Sequence, residues 1–168
     1  MLTDFQEFLR KKTEGSAWKE RKERRVEWLG ALNRLFAQIR GFLREADPEG
    51  LIEIVDYEVE RVEERLGVYD APALKIRLDT ASADVIPVGL NSRKPLSLMN
   101  LLAVPGNESR WGDLAVGRVD VTDWERKHIL FRSIQNGQDQ WYVMMAEKAG
   151  LTPFNRQSLE EILLDLLS

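Results

Sequence analysis

Arg118 and Asp120 stand two residues apart in "LAVGRVDV" (114–121), a run that reads as a strand. On a strand this spacing turns both side chains to one face and Val119 and Val121 to the other. A guanidinium beside a carboxylate could hold a polar ligand, or the two could simply pair at an open, solvated face. His128, the single histidine, opens the following strand. The chain has no cysteine and no serine in an elbow-like context, so His128 has no nucleophile to activate and reads as a hydrogen-bonded structural residue. The same counts remove disulfides, thiolate metal sites, Fe–S clusters and multi-histidine sites. "GLNSRK" (89–94) lacks both the second glycine and the Lys–Ser/Thr ending of a phosphate-binding loop. We therefore expect no resident cofactor or metal.

Asp113 followed by "ERK" (Glu125 to Lys127) offers a different chemistry. The separation and the Glu-x-Lys resemble the acidic and basic residues of the restriction-endonuclease-like PD-(D/E)xK nucleases. In that family carboxylates hold Mg²⁺ and a lysine assists the attacking water. The resemblance covers these three residues. It departs from the family in placing Glu125 and Lys127 in a polar, turn-like stretch after Thr122–Asp123, where the family has a buried strand.

Charge offers a third possibility. The 168 residues carry a net charge of −4, which argues against generic nucleic-acid binding, but residues 1–48 sum to +3 and residues 49–168 to −7. Within "WKERKERRVEWLGALNRLFAQIRGFLRE" (18–45), Lys19, Arg21, Lys22, Arg24 and Arg25 form a basic block beside Trp18. They could grip phosphates, or be the solvated end of a structural helix. Glu20 and Arg24 are spaced to pair at i,i+4.

A long helix must carry that block. Trp28, Leu29, Leu32, Leu35, Phe36, Ile39, Phe42 and Leu43 recur on one face, opposite Arg34, Gln38, Arg40 and Arg44. The stripe fails before Val26, so the second half packs on a core and the first turns project, with Ser16 as the expected N-cap. Upstream, Thr3 and Gln6 predict a capping box, and Leu2, Phe5, Phe8 and Leu9 share one side of a short helix that should fold back through "KKTEGS" (11–16). "ADPEG" (46–50) ends the long helix.

Residues 51–66 fit either period, and we read them as a long, bulged edge strand with "ALKIRL" (73–78) as hairpin partner after "VYDAP". "ADVIPVG" (83–89) is expected as an outer strand because of Pro87. In "HILFRSIQNGQDQWYVMM" (128–145), Asn136–Gly137 predicts a type I′ hairpin that places Phe131 opposite Tyr142, Leu130 opposite Val143 and Arg132 opposite Trp141. Both faces of these strands carry large apolar groups, so the long helix should cover one side and another element the other. Ser158 and Glu161 predict a capping box for a last helix with Leu159, Ile162, Leu163 and Leu166 as its stripe. The connection 89–113 should hold a helical turn in "LSLMNLLAV" and, at its ends, a cationic patch of Arg93, Lys94, Arg110 and Trp111.

The expected fold is α+β: N-terminal helices, one of them long, packed on an antiparallel sheet of about five strands, with a C-terminal helix. We expect a single domain (1–48 helical, 49–146 mainly sheet, 152–168 helical). "MLTDFQEFLRKK" lacks the apolar core of a signal peptide and no run is long enough to span a membrane, which points to a cytoplasmic protein. The residues most enzymes need are scarce. The leading reading is a non-catalytic interaction or adaptor protein, an accessory subunit of a bacterial cytosolic assembly with a protein partner. A nucleic-acid-associated protein using the basic helix comes second, and a Mg²⁺-dependent nuclease-like enzyme third.

Overall fold

The computed structural model describes residues 1–90, 117–144 and 150–168. Two helices open it, α1 (Asp4–Glu14) and α2 (Ser16–Ala46). An antiparallel sheet follows: β1 (Glu53–Glu63), β2 (Gly67–Leu78), β3 (Ala81–Gly89), β4 (Arg118–Thr122), β5 (Lys127–Gln135), β6 (Gln138–Met144) and β7 (Thr152–Pro153). A last helix, α3 (Arg156–Leu167), closes the chain. Strands adjacent in sequence are adjacent in the sheet, in the order β1 to β7, so the fold is an α+β meander with seven strands where about five were expected. The two-residue β7, paired through Thr152 and Pro153 to Val143 and Tyr142, is too short to leave a period in the sequence.

The 31-residue α2 is about 46 Å long. Its apolar stripe is the centre of the core: Trp28, Leu32, Leu35, Ile39 and Leu43 are buried with Leu74 and Ile76 of β2, Val85 of β3, Val121 of β4 and Val143 of β6. The expected α3 stripe, Leu159, Ile162, Leu163 and Leu166, is buried in the same cluster. Both helices therefore share one apolar core with the sheet, and no second helix covers the other face among the described residues. On that other face Phe131 forms a small cluster with Ile129, Met144 and Leu151.

Helix ends follow local chemistry, with two shifts from expectation. The Thr3–Gln6 capping box is present, but α1 does not fold back through residues 11–16. Lysine and glutamate are good helix formers, and Arg10 bonds Glu14 at 2.7 Å, so the helix runs on to Gly15. That one residue, extended at φ −67° and ψ 143°, ends α1 and serves as N-cap of α2 in place of Ser16. None of the side chains of α1 is buried. At α3 the cap is Asn155, not Ser158; the two bond reciprocally, and Ser158 is the third helical residue. At the exit of α2 the Asp47 carboxylate accepts the Leu51 and Ile52 N–H groups, which lowers its pKa and turns the chain into β1, with Gly50 at φ +69°.

Residues 53–63 are a strand, as read, and β1 is an edge. It has no bulge: all eleven residues pair in one unbroken register from Glu53↔Arg77 to Glu63↔Gly67. The partner strand also takes in "VYDAP", because the turn lies earlier, at 64–66, with Gly67 at φ +77°. "ADVIPVG" is not an outer strand; β3 lies third of seven. Pro87 is tolerated there because the β2–β3 pairing already stops at Leu74↔Val85, and its continuation would set Pro72 against Pro87, neither with an N–H to give. Arg61 Nε donates to the Pro87 carbonyl at 2.8 Å. Toward β4 the register shifts between Pro87 and Gly89.

The Asn136–Gly137 hairpin forms with both residues at positive φ (52° and 74°), and the three expected pairs are all found. Of "LAVGRVDV", residues 114–116 lie outside the described residues, while 118–121 belong to β4.

Gly117 lies directly against the Trp28 ring of α2. A Cβ there would overlap the Trp28 ring and meet Arg132 Cβ at 3.4 Å. Gly117→Ala should therefore displace Trp28 and cost roughly 1–3 kcal/mol. Leu32→Ala, at a fully buried position, should cost about 2–5 kcal/mol, and Val26→Ala, at an exposed one, less than about 0.5 kcal/mol. Urea denaturation of the three variants against the parent checks the order.

Candidate functional site

Among the described residues, three polar clusters and one projecting surface stand out as places where chemistry could reside. The first cluster sits in the helix–sheet seam. Arg132 points from β5 toward α2 and its side chain is 1% exposed. Its guanidinium donates to Glu27 through both terminal nitrogens and to Asp139 through Nε at 2.9 Å, and it stacks 5.9 Å from the centre of the Trp28 ring. Arg34 of α2 also reaches Asp139, at 2.8 Å. Burial by itself would raise the Asp139 pKa, but the bonds from Arg34 and Arg132 outweigh it and hold the carboxyl below its ordinary range. Burial likewise opposes the Arg132 charge, and the Glu27 and Asp139 bonds more than restore it.

The second cluster lies on the other sheet face. The buried Asp84 carboxylate accepts from Tyr57 Oη at 2.8 Å, Trp124 Nε1 at 2.8 Å and Lys75 Nζ at 3.0 Å. Burial first, and then the bond to Asp84, push the Tyr57 pKa far above its usual value, so the hydroxyl stays a neutral donor. Trp124 adopts φ +75° in the β4–β5 turn, a region a large side chain rarely enters. Four bonds hold the turn: the Trp124 N–H donates to Thr122 Oγ1, its indole donates to Asp84, and the Asp123 carboxylate accepts from the Glu125 and Arg126 N–H groups. The rest of the Trp124 ring is in solvent, with the residue 71% exposed.

Arg118 and Asp120 share this face, as their spacing predicted. They bond each other in bidentate fashion at 2.8 and 3.1 Å and are only 13% and 14% exposed, so the pair is largely enclosed and not the solvated pair of an open face. The third cluster ties α3 down. His128 Nε2 lies 2.7 Å from the Asp165 carboxylate, and Arg126 Nη1 reaches the same carboxylate at 2.6 Å. A carboxylate partner on Nε2 and burial of the ring fit the structural role expected of His128.

All three clusters are ion pairs and hydrogen bonds that join elements, with the buried His128 Nδ1 left without a partner among the described residues, and none presents a base next to a nucleophile. Among the described residues no three of His, Asp and Glu gather as a metal site. Of the nuclease-like trio, Asp113 lies outside the described residues. Glu125 is exposed in the β4–β5 turn, and Lys127 is exposed at the start of β5. Arg93, Lys94, Arg110 and Trp111, and the helical turn expected in 96–104, also lie outside the described residues.

The projecting surface is the first part of α2 together with α1. From residue 17 to residue 27 no side chain is buried; the first to enter the core is Trp28. Trp18 is half-buried, with Lys22 Nζ 5.6 Å from its ring centre. Lys19 and Arg24 are exposed, Arg21 is partly covered, and Arg24 pairs with Glu20 at 3.8 Å. Arg25 is committed elsewhere: its Nη1 donates to the Leu66 carbonyl at 2.8 Å, anchoring the tip of the β1–β2 hairpin on α2. Beyond them α1 presents Phe5, Phe8 and Leu9, with Leu2 just ahead of its Thr3 cap, all 45–66% exposed, and the two phenylalanine rings stack 6.4 Å apart.

Sequence reasoning missed the Asp84 cluster and the strained Trp124. Neither has a local signature, since Tyr57, Lys75, Asp84 and Trp124 come from three strands and a turn. No helix among the described residues is long and apolar enough to cross a membrane.

Arg132→Ala should cost about 3 kcal/mol or more by leaving Asp139 partly buried beside an emptied site. For Asp139 the native pKa lies below its unfolded value, so its contribution is fully present above the unfolded pKa near ~3.9 and is lost as pH falls through the native one. The stability gap between parent and Asp139→Asn should be widest near neutrality and narrow below about pH 4; urea midpoints across that range would measure it. Comparison of the chain with protein-family models, with curated proteins and with solved structures finds no match in any of the three.

Proposed function

We propose that this chain is a non-catalytic interaction protein, an adaptor or accessory subunit that uses its N-terminal helices to hold a protein partner. One observation carries the reading. A capped, eleven-residue helix displays Phe5, Phe8 and Leu9, with Leu2 just ahead of its cap, and buries none of its side chains, at the end of a longer helix that projects from the core. Exposed apolar surface of this kind favours association and is normally withdrawn from solvent by a partner. The polar clusters point the same way, because their charged groups are occupied in joining helices to sheet and strand to strand.

Capture from a lysate of the native host, with the parent chain and Phe5→Glu/Phe8→Glu compared side by side, tests this. Neither residue is buried, so the thermal midpoint should not move, while a retained partner should be lost from the variant. Equal capture by both chains would defeat the reading.

A second reading, contact with a nucleic acid, is favoured by Lys19, Lys22 and Arg24 lying exposed on the projecting turns of α2. It requires binding that weakens steeply with salt, with a smaller slope in Lys19→Gln/Lys22→Gln. Filter binding at several salt concentrations decides it, and a salt-independent affinity would exclude it.

A further inference from the structure

We infer that the free edge of β1 takes an added strand from a protein partner, and that this strand is an extended basic segment, with Lys or Arg at every second position and apolar or β-branched residues between. The surface is separate from α1 and does not depend on it.

The backbone makes the site. In an antiparallel pair every second residue turns its N–H and C=O away from the neighbouring strand, and beyond β1 no strand meets those groups among the described residues. Folds close such edges by keeping the strand short, or with a proline, a bulge or a covering element. None of these is seen at β1 among the described residues. It runs for eleven residues, about 36 Å, without a proline, and its pairing with β2 is unbroken. An edge of this kind suits strand addition, in which main-chain bonds supply affinity and alternate side chains supply choice.

Charge selects the occupant. Asp56, Glu58 and Glu60 lie exposed on one face of β1, in steps of about 7 Å, and Asp70 of β2 stands directly opposite Glu60 on the same face. Asp56 is paired with Arg40 of α2, whereas no cation meets Glu58, Glu60 or Asp70 among the described residues. Like charges facing each other across a ladder weaken it, so the Glu60–Asp70 pair is a local cost to the fold that a cation from outside would relieve. A guard of one sign is also selective. It turns away another acidic edge, that of a second copy included, and draws a cationic one.

The opposite face of β1 completes the pattern. Val55, Tyr57 and Val59 are half-buried there, so the residues between the cations of an added strand meet apolar neighbours.

The probe is an eleven-residue peptide alternating lysine with valine and threonine, titrated against the full chain by fluorescence anisotropy at physiological salt. Saturable binding is expected, with backbone hydrogen exchange slowed in residues 53–63. Glu58→Gln/Glu60→Gln should weaken binding about fivefold by removing two exposed ion pairs. The thermal midpoint of the same free variant should hold or rise, since the contact with Asp70 no longer sets charge against charge. Two further peptides, N-methylated either on the lysines or on the residues between, keep the charge. One set of N–H groups faces β1 and the other faces solvent, so one methylated peptide should bind and the other should lose at least about tenfold. Phe5→Glu/Phe8→Glu should bind the parent peptide unchanged, which separates this edge from the α1 reading. No binding up to millimolar peptide, equal affinities for the two methylated peptides, indifference to the glutamine variant, or protection outside residues 53–63 would each overturn the inference.

Discussion

A guanidinium buried between helix and sheet marks where α2 joins the core. Arg132 lies on the face of β5 that α2 covers, and removing its charge from water is tolerable only because Glu27 and Asp139 bond it and the Trp28 ring lies over it. These partners come from two elements, α2 and β6, so the cluster sets the position of α2 on the β5–β6 hairpin as well as its distance. Glu27 and Trp28 are also the point at which α2 changes character. On the C-terminal side every turn buries an apolar residue, and on the N-terminal side none does. Gly117 lets the ring come this close.

The same device recurs with smaller groups. Arg25 holds the tip of the β1–β2 hairpin to α2, Arg61 reaches the Pro87 carbonyl that β2 leaves, and Arg126 and His128 hold α3 through Asp165. Each joins elements distant in sequence, and each meets a carbonyl or carboxylate that would otherwise lack this partner. In a chain with 31% charged residues, much of the charge is thus structural. That division of labour is what makes the exposed apolar stripe of α1 stand out: it is the part of the N-terminal region whose composition suits burial and whose position denies it.

The edge of the sheet shows how the fold guards against unwanted association. β1 is long and regular, the kind of edge that invites another strand. It carries Glu53, Asp56, Glu58 and Glu60, all exposed, so two such edges brought together would set acid against acid.

The sequence by itself determined whatever depends on a period or on a local bond. The stripe from Trp28 to Leu43, the Thr3–Gln6 box, the alternation of β4 that brings Arg118 and Asp120 to one face, and the Asn136–Gly137 turn with its register are all set within a few residues, by backbone geometry and neighbouring side chains. Only the tertiary structure decided the rest. Pro87 sits in an inner strand because a second proline across from it had already ended the pairing there, a coincidence of two distant residues. The cap of α3 fell to Asn155 although Ser158 and Glu161 had the form of a box, because Asn155 and Ser158 close a box of their own one turn earlier. Asp84 gathered its donors from β1, β2 and the β4–β5 turn, and α1 buries no side chain among the described residues. Burial and ion pairing are settled by which surfaces meet in space, and a linear pattern records what a residue prefers without recording what it will face.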